Sequence, residues 1–137
     1  MALKQSLFQE GEPPRPDARF NAAEYCLSGS GAPRTKAALV LVSAIDKPPQ
    51  IWRYGEGSDA VRRIAAGLKA HGLRPGDRVM LRLGHEPEFP LFFFGALAAG
   101  GIALPTSSQL SPQETAYIAE DAAPRFLVGA SATAFDG

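Results

Sequence analysis

The chain alternates between short apolar runs and longer stretches in which apolar residues recur at helical spacing. Residues 37–44 (AALVLVSA) form a continuous apolar run rich in branched side chains, and its length predicts a buried strand. After the turn DKPPQ, residues 51–54 (IWRY) predict a second strand. The two strands are close enough in sequence to pair as a hairpin.

A helix is predicted to follow this hairpin. Ser58 or Asp59 is the expected N-cap, because a short polar side chain can accept a hydrogen bond from a free amide of the first turn. Gly72 is the expected stop. An apolar stripe at a spacing of three and four residues is made by Val61, Ile64, Ala65 and Leu68. One face of this helix is therefore expected to be buried.

The pattern then continues with strands and helices in alternation. Pro75-Gly76 suits the middle of a type II turn and precedes a strand predicted over residues 79–83. Residues 85–101 predict a helix with proline in its first turn, and this helix is apolar on nearly every side. It is therefore expected to be buried, and it leads into a short strand at residues 102–105.

Ser111 and Glu114 have the spacing of a capping box, which predicts a helix that runs to about Asp121. A last strand is expected at residues 125–130. From residue 37 the predicted order is ββαβαβαβ, and strands that alternate with helices indicate parallel pairing. The predicted fold class is α/β: a partial doubly wound, mainly parallel sheet with flanking helices.

The N-terminal region divides at the sequence EPPRP, which cannot continue a helix. Residues 1–16 are expected to form a flexible segment, and Asp17 is expected to cap a helix over residues 18–28. Residues 17–137 are predicted to form the folded part.

Composition narrows the function classes. The 14 basic and 14 acidic residues balance, so net charge does not favour nucleic acid or an anionic membrane. Cys26 is the single cysteine, which suits a reducing, cytoplasmic setting and excludes a disulfide within the chain. The apolar stretch at residues 89–105 is short, is interrupted by glycines and lacks flanking basic clusters, so no membrane span is predicted.

Few residues of the sequence suggest a catalytic, phosphate-binding or metal-binding role. The glycine-rich stretch at residues 28–34 (SGSGAPR) follows a helix and precedes a strand, the reverse of a phosphate loop, so it is interpreted as a helix end and linker. His71 belongs to the last turn of a helix, where a cation is favoured. His85 stands beside Glu86 and Glu88, which favours capping over metal binding.

The loop after residue 105 places Thr106, Ser107 and Ser108 just beyond a strand, where open α/β sheets bind ligands. It is interpreted either as the edge of a cleft or, preferentially, as a hydrophilic loop. Cys26 is expected to be a packing residue. Trp52 and Tyr54 are expected to share one face of a strand and to pack there.

Three segments together resemble the N-terminal region of the AMP-forming acyl-CoA synthetases, members of the adenylate-forming superfamily. They are GDRV at the start of a strand, GALAAGGIALP where a helix runs into a strand, and Leu110-Ser111 with Glu114 at the start of a helix. The resemblance covers roughly residues 19–130. Gly57 departs from it, because the family usually has leucine there.

The resemblance implies a reaction in which a carboxylate attacks the α-phosphate of ATP, pyrophosphate leaves, and coenzyme A takes the acyl group. ATP, Mg²⁺ and coenzyme A are implied for the full enzyme, together with a small carboxylic acid substrate. The family's Ser/Thr/Gly-rich phosphate loop would be expected beyond Val128, and residues 1–137 do not contain it. No catalytic, cofactor-binding or metal-binding residue is therefore assigned, and no cofactor is expected to bind this chain alone.

The leading hypothesis is thus the front part of such an enzyme, inactive alone and partnered by the remainder of the enzyme. It could be a gene fragment, a truncated reading or a split subunit. The alternative is a stand-alone, non-enzymatic α/β module that binds a partner or a small ligand.

Overall fold

The fold is described by a computed structural model for residues 20–29, 31–44 and 46–129. The predicted flexible segment 1–16 and the predicted cap Asp17 lie outside these residues. The helices and strands are α1 Ala22–Leu27, β1 Ala37–Leu41, β2 Gln50–Arg53, α2 Tyr54–Ala70, β3 Arg78–Arg82, α3 Glu88–Ala98, β4 Ile102–Pro105, α4 Pro112–Ala122 and β5 Phe126–Gly129. The predicted order of elements is confirmed from residue 37 onward.

Two separate sheets are present in the described part of the chain. β3 lies between β4 and β5 and is parallel to both, with Met80 opposite Leu104 on one side and Leu127 on the other. β1 and β2 form an antiparallel hairpin of their own. The parallel pairing follows from the helical crossovers between successive strands.

The helices α2 and α3 cover one face of the parallel sheet, and the chain at the two ends of α4 contacts the other face, as β3 shows. Val79 and Leu81 are fully buried in one apolar cluster, which α2 and α3 complete with Ala65, Leu68, Ala96 and Ala99. Successive side chains of a strand point to opposite faces, so Arg78, Met80 and Arg82 share the other face. Both arginines contact the chain at the two ends of α4. The α/β, partially doubly wound fold predicted from the sequence is confirmed.

The prediction that Ser58 or Asp59 is the N-cap of α2 was wrong, because the N-cap is Arg53 and the helix begins at Tyr54. Its free amides find partners in the chain before β1: Tyr54 donates to the Lys36 carbonyl at 3.0 Å and Gly55 to the Arg34 carbonyl at 2.9 Å. No short polar cap is needed when tertiary partners satisfy the first turn. The prediction that Tyr54 shares a strand face with Trp52 was therefore wrong, because Tyr54 is the first residue of α2.

Asp59 has a different role from the one expected. Its carboxylate lies 2.9 Å from the Arg34 guanidinium, and it joins α2 to the segment before β1. Because both side chains are largely exposed, this ion pair contributes about 1 kcal/mol at most.

The start of α1 also differs from the prediction, because the helix begins at Ala22 and not at residue 18. Asn21 is the N-cap, and its side-chain oxygen accepts from the amides of Ala23 and Glu24, each at 3.1 Å. Its amide nitrogen donates to the Leu97 carbonyl of α3 at 3.2 Å. A single asparagine therefore both starts α1 and attaches it to α3.

The hairpin is not a buried strand pair, contrary to the prediction for residues 37–44. Val40 and Ile51 face each other across the two strands and are 51% and 47% exposed. Leu39 and Leu41, on the other face of β1, are half-buried. One face of this two-stranded sheet is not covered by another element, and the length of the apolar run does not reveal this.

Two local predictions are confirmed. The amide of Asp77 donates to the Arg74 carbonyl at 3.0 Å, and Gly76 has a φ of 85°, as the third residue of a type II turn requires. Ser111 and Glu114 form the reciprocal capping box: the Glu114 amide donates to the Ser111 hydroxyl, and the Ser111 amide donates to the Glu114 carboxylate.

Candidate functional site

An open groove of about 500 Å³ lies where β3 and β4 end. The carboxyl ends of parallel strands are the usual ligand position in open α/β sheets. Four stretches of chain line the groove: the segment after β3, the start of α3, the loop after β4, and the inner face of β1. The lining residues are Leu39, Leu41, Leu83, Gly84, His85, Glu86, Phe89, Pro90, Ser107, Ser108 and Gln109.

The loop after β4 forms the polar wall of this groove. Thr106 fixes its start, since the Thr106 amide and hydroxyl both donate to the Leu81 carbonyl, at 2.8 and 3.0 Å. Within the loop, the Gln109 amide donates to the Ser107 hydroxyl at 3.1 Å. The wall therefore presents the exposed side chains of Ser107, Ser108 and Gln109 on a loop that is anchored at β3.

The facing wall comes from the segment that leaves β3. Gly84 donates its amide to the Glu86 carboxylate at 3.3 Å, so this carboxylate is turned back toward its own backbone. His85, between these two residues, is exposed. Its side chain and the serines of the opposite loop are therefore open to solvent at one groove.

The floor and far side of the groove are apolar. Leu83 is buried, and Phe89 and Pro90 of α3 are half-buried. Leu39 and Leu41 close the groove from the hairpin. An apolar floor with a rim of hydroxyl, amide and imidazole groups suits a ligand that is mostly apolar and carries a few hydrogen-bonding groups.

Phosphate transfer commonly uses a bound divalent cation, so groups of metal-binding side chains are relevant here. Among the described residues, no cluster of three histidine, cysteine, aspartate or glutamate side chains is placed to hold a metal ion. The expectation that this chain holds no catalytic, cofactor-binding or metal-binding residue of its own remains a prediction.

The other candidates from the sequence lie away from the groove. His71 caps the C-terminal end of α2, and its amide donates to the Gly67 carbonyl at 3.0 Å. In the glycine-rich stretch, the amides of Ser28 and Gly29 both donate to the Glu24 carbonyl, which confirms its interpretation as a helix end. Cys26 is exposed, so the expectation that it packs inside the protein was wrong.

Only one wall of the groove, the loop after β4, was suggested by the sequence. The sequence placed Thr106, Ser107 and Ser108 beyond a strand end, as one edge of a possible cleft. It assigned His85 and Glu86 to helix capping and did not connect them with this loop. The signal was present, because both segments follow parallel strands, and the carboxyl ends of such strands meet at one edge of the sheet.

Comparison with known proteins gives a consistent result. The family model for AMP-binding enzymes matches residues 30–136. The 3-hydroxybenzoate–CoA ligase of Aromatoleum sp. (strain CIB) is 35% identical over 74 residues, which are 54% of this chain and 14% of that protein. The 4-coumarate–CoA ligase 3 of Oryza sativa subsp. japonica is 30% identical over 112 residues, 82% of this chain and 20% of that protein.

Solved structures agree with the fold. A benzoate CoA ligase from Burkholderia xenovorans LB400 has a TM-score of 0.72 at 25% identity, over 81% of this chain and 22% of that one. An acyl-CoA synthetase from Brucella canis has a TM-score of 0.76 at 22% identity, over 85% of this chain and 21% of that one, and supports the fold alone. The chain thus spans between 14% and 22% of the length of these four proteins.

Proposed function

We propose that this chain, a member of the AMP-binding enzyme family, forms the front part of the adenylation domain of an ATP-dependent acyl-CoA ligase. The resemblance of this chain to adenylate-forming enzymes is confirmed by the family match. The observation that carries the proposal is the agreement of that match with the observed strand order and with CoA ligases as relatives. Residues 17–137 are the proposed extent of this part.

The proposed reaction joins a carboxylic acid to coenzyme A in two steps. The carboxylate attacks the α-phosphate of ATP and releases pyrophosphate, and the thiol of coenzyme A then takes the acyl group and releases AMP. Residues 1–137 lack the phosphate loop of the family, and the described residues hold no metal cluster, so ATP and Mg²⁺ are proposed to bind outside this chain. The chain alone is proposed to be inactive.

We propose that the groove at the carboxyl ends of β3 and β4 forms one side of the enzyme's ligand-binding cleft. Its apolar floor at Leu83 and Phe89, opposite the polar loop, supports this role. An aromatic carboxylic acid is the first substrate class to test, since two of the matched ligases are named for hydroxybenzoate and coumarate.

The single cysteine suits a reducing setting, and we propose a cytoplasmic location. In the part of the chain that the structure describes, no helix has the length and apolar character needed to cross a membrane.

The test is thioester formation by the polypeptide that the complete gene encodes, supplied with ATP, Mg²⁺ and coenzyme A. Benzoate, 3-hydroxybenzoate and 4-coumarate are compared with octanoate, and acyl-CoA products are measured by mass spectrometry. We expect an acyl-CoA with at least one aromatic acid, together with one AMP for each thioester. Folded gene product that forms no acyl-CoA from any of these acids would contradict the proposal.

A further inference from the structure

Two arginines on one face of β3 contact the chain at the two ends of α4, and they bind different segments. Arg82, at the carboxyl end of β3, donates from Nη2 to the carbonyls of Ser108 at 3.2 Å and Leu110 at 2.9 Å. Arg78, at the other end of the strand, contacts the Ala122 carbonyl at the end of α4 through its Nε. We propose that Arg82 is a positioning residue that fixes the groove wall formed by residues 107–109.

The loop between β4 and α4 is held at both of its ends. Its start is held at the Leu81 carbonyl by Thr106, and its end is held by the capping box of Ser111. The bonds from Gln109 and Leu110 back to Ser107 close a turn inside the loop and do not reach β3. Among the described hydrogen bonds, those of Arg82 join the middle of the loop to the sheet.

The charge of Arg82 supports the same role. No described carboxylate forms an ion pair with it. Its Nε is buried and meets no acceptor among the described residues. A guanidinium in this position is stabilised by the backbone carbonyls that Nη2 reaches, and hydrogen bonds from a charged donor are stronger than neutral ones. Because the acceptors are neutral, the attachment is expected to be nearly insensitive to salt.

The position of the loop backbone determines where the polar side chains of the groove lie. Ser107, Ser108 and Gln109 are exposed and belong to a short loop, so their positions depend on where the loop backbone is held. Arg82 acts on that backbone and does not line the groove itself. The functional meaning of this inference rests on the proposed function, in which the groove is part of the ligand cleft.

The chain offers a matched control in Arg78. It lies on the same strand and on the same face, and it also contacts a backbone carbonyl, that of the last residue of α4. Its contact is at the end of α4 that is remote from the groove. R78M and R82M therefore remove the same chemical group from the two ends of one strand.

The test is amide hydrogen exchange of the 137-residue chain, read by mass spectrometry in peptides that cover residues 106–112 and 118–124. In R82M we expect exchange in residues 106–112 to rise about tenfold, while residues 118–124 stay as in the parent chain. In R78M we expect the reverse. R82K should restore part of the protection in residues 106–112, because it keeps a positively charged donor although its side chain ends one bond short of the position of Nη2.

Equal exchange of residues 106–112 in R82M and the parent chain would overturn the inference. So would an R82K chain that is no better protected there than R82M. If R82M raises exchange along the whole chain, R82Q decides: a rise confined to residues 106–112 supports the inference, and a uniform rise overturns it. No substrate is used, so these results are independent of the test of the proposed function.

Discussion

Gly95 of α3 lies so close to Ile64 of α2 that a Cβ built on the glycine would stand 2.4 Å from the Ile64 Cγ2. Real Cβ atoms do not approach other carbons this closely, so a side chain at this position forces the Ile64 side chain or the backbone of α2 or α3 to move. The contact lies beside the apolar cluster that joins both helices to β3. The absence of a side chain at Gly95 is therefore what allows these two helices to pack at this distance.

We expect Gly95→Ala to lower the free energy of unfolding by about 1–3 kcal/mol, because overpacking forces the backbone or the isoleucine to move. Urea denaturation followed by circular dichroism measures the change. Gly67→Ala is the matched control, since Gly67 lies inside α2 and a Cβ there meets nothing within 4 Å. It should raise the free energy of unfolding by about 1 kcal/mol through helix propensity.

The cause of the Gly95 effect can be isolated with a double-mutant cycle. In an Ile64→Ala background the clashing methyl group is gone, so Gly95→Ala should cost much less there than in the parent chain. An unchanged cost in both backgrounds would show that the contact with Ile64 is not the source of the effect.

The capping box at α4 predicts a pH dependence. The backbone amide and then the hydroxyl of Ser111 lower the pKa of Glu114 below its usual 4.5. A carboxyl whose pKa is lower in the folded state stabilises the fold above its unfolded pKa and loses this contribution as the pH falls through its folded pKa. Stability should therefore decrease below pH 4.5 in part because Glu114 becomes protonated.

The measurement for this prediction is thermal unfolding between pH 3 and pH 7 for the parent chain and Glu114→Gln. The glutamine variant should be less stable at neutral pH and should lose less stability on acidification. Ser111→Ala, which removes the hydroxyl acceptor and donor, should show the same trend. Parallel pH profiles for the parent and Glu114→Gln chains would refute the assignment.

Exposed apolar residues on the hairpin predict self-association of the isolated chain. Val40 and Ile51 form a cross-strand pair, and both are about half exposed. β4 and β5 are also sheet edges, with Ile102 and Leu127 about half exposed. Such surfaces favour association with other chains.

Sedimentation velocity at tens of micromolar tests this expectation. We expect the 137-residue chain to sediment as oligomers or aggregates. The double variant Val40→Lys with Ile51→Glu should shift it toward monomer, and its opposite charges should still pair across the two strands. Tyr117→Lys on α4, where the tyrosine is 72% exposed, is the control and should leave association unchanged. A sharp monomer peak for the parent chain would contradict the expectation.

The sequence predicted the order of elements from residue 37 because the strand and helix patterns there are local properties of short segments. It failed where distant parts of the chain decide. Glu56 of the first turn of α2 accepts from the Arg53 amide, but the acceptors for the Tyr54 and Gly55 amides are the carbonyls of Lys36 and Arg34, which no local pattern reveals. In the same way, an apolar run at β1 predicts a strand but does not say whether another layer covers it.

The groove shows the same limit for function. His85 and Ser107 are 22 positions apart in the sequence, and only the parallel pairing of β3 with β4 brings their segments to one edge of the sheet. Arg82 looks like an ordinary surface arginine in the sequence, and its hydrogen bonds to the loop depend on the same pairing. Residue type therefore indicates little about these positions before the topology is known.

We propose that this chain forms part of an adenylating enzyme and does not complete the reaction by itself. The most direct measurement is carboxylate-dependent exchange of labelled pyrophosphate into ATP, run side by side on the purified 137-residue chain and on the polypeptide that the complete gene encodes. We predict exchange with the gene product and none above buffer with the 137-residue chain. Exchange by the 137-residue chain, or its absence from folded gene product with every acid tested, would contradict the claim.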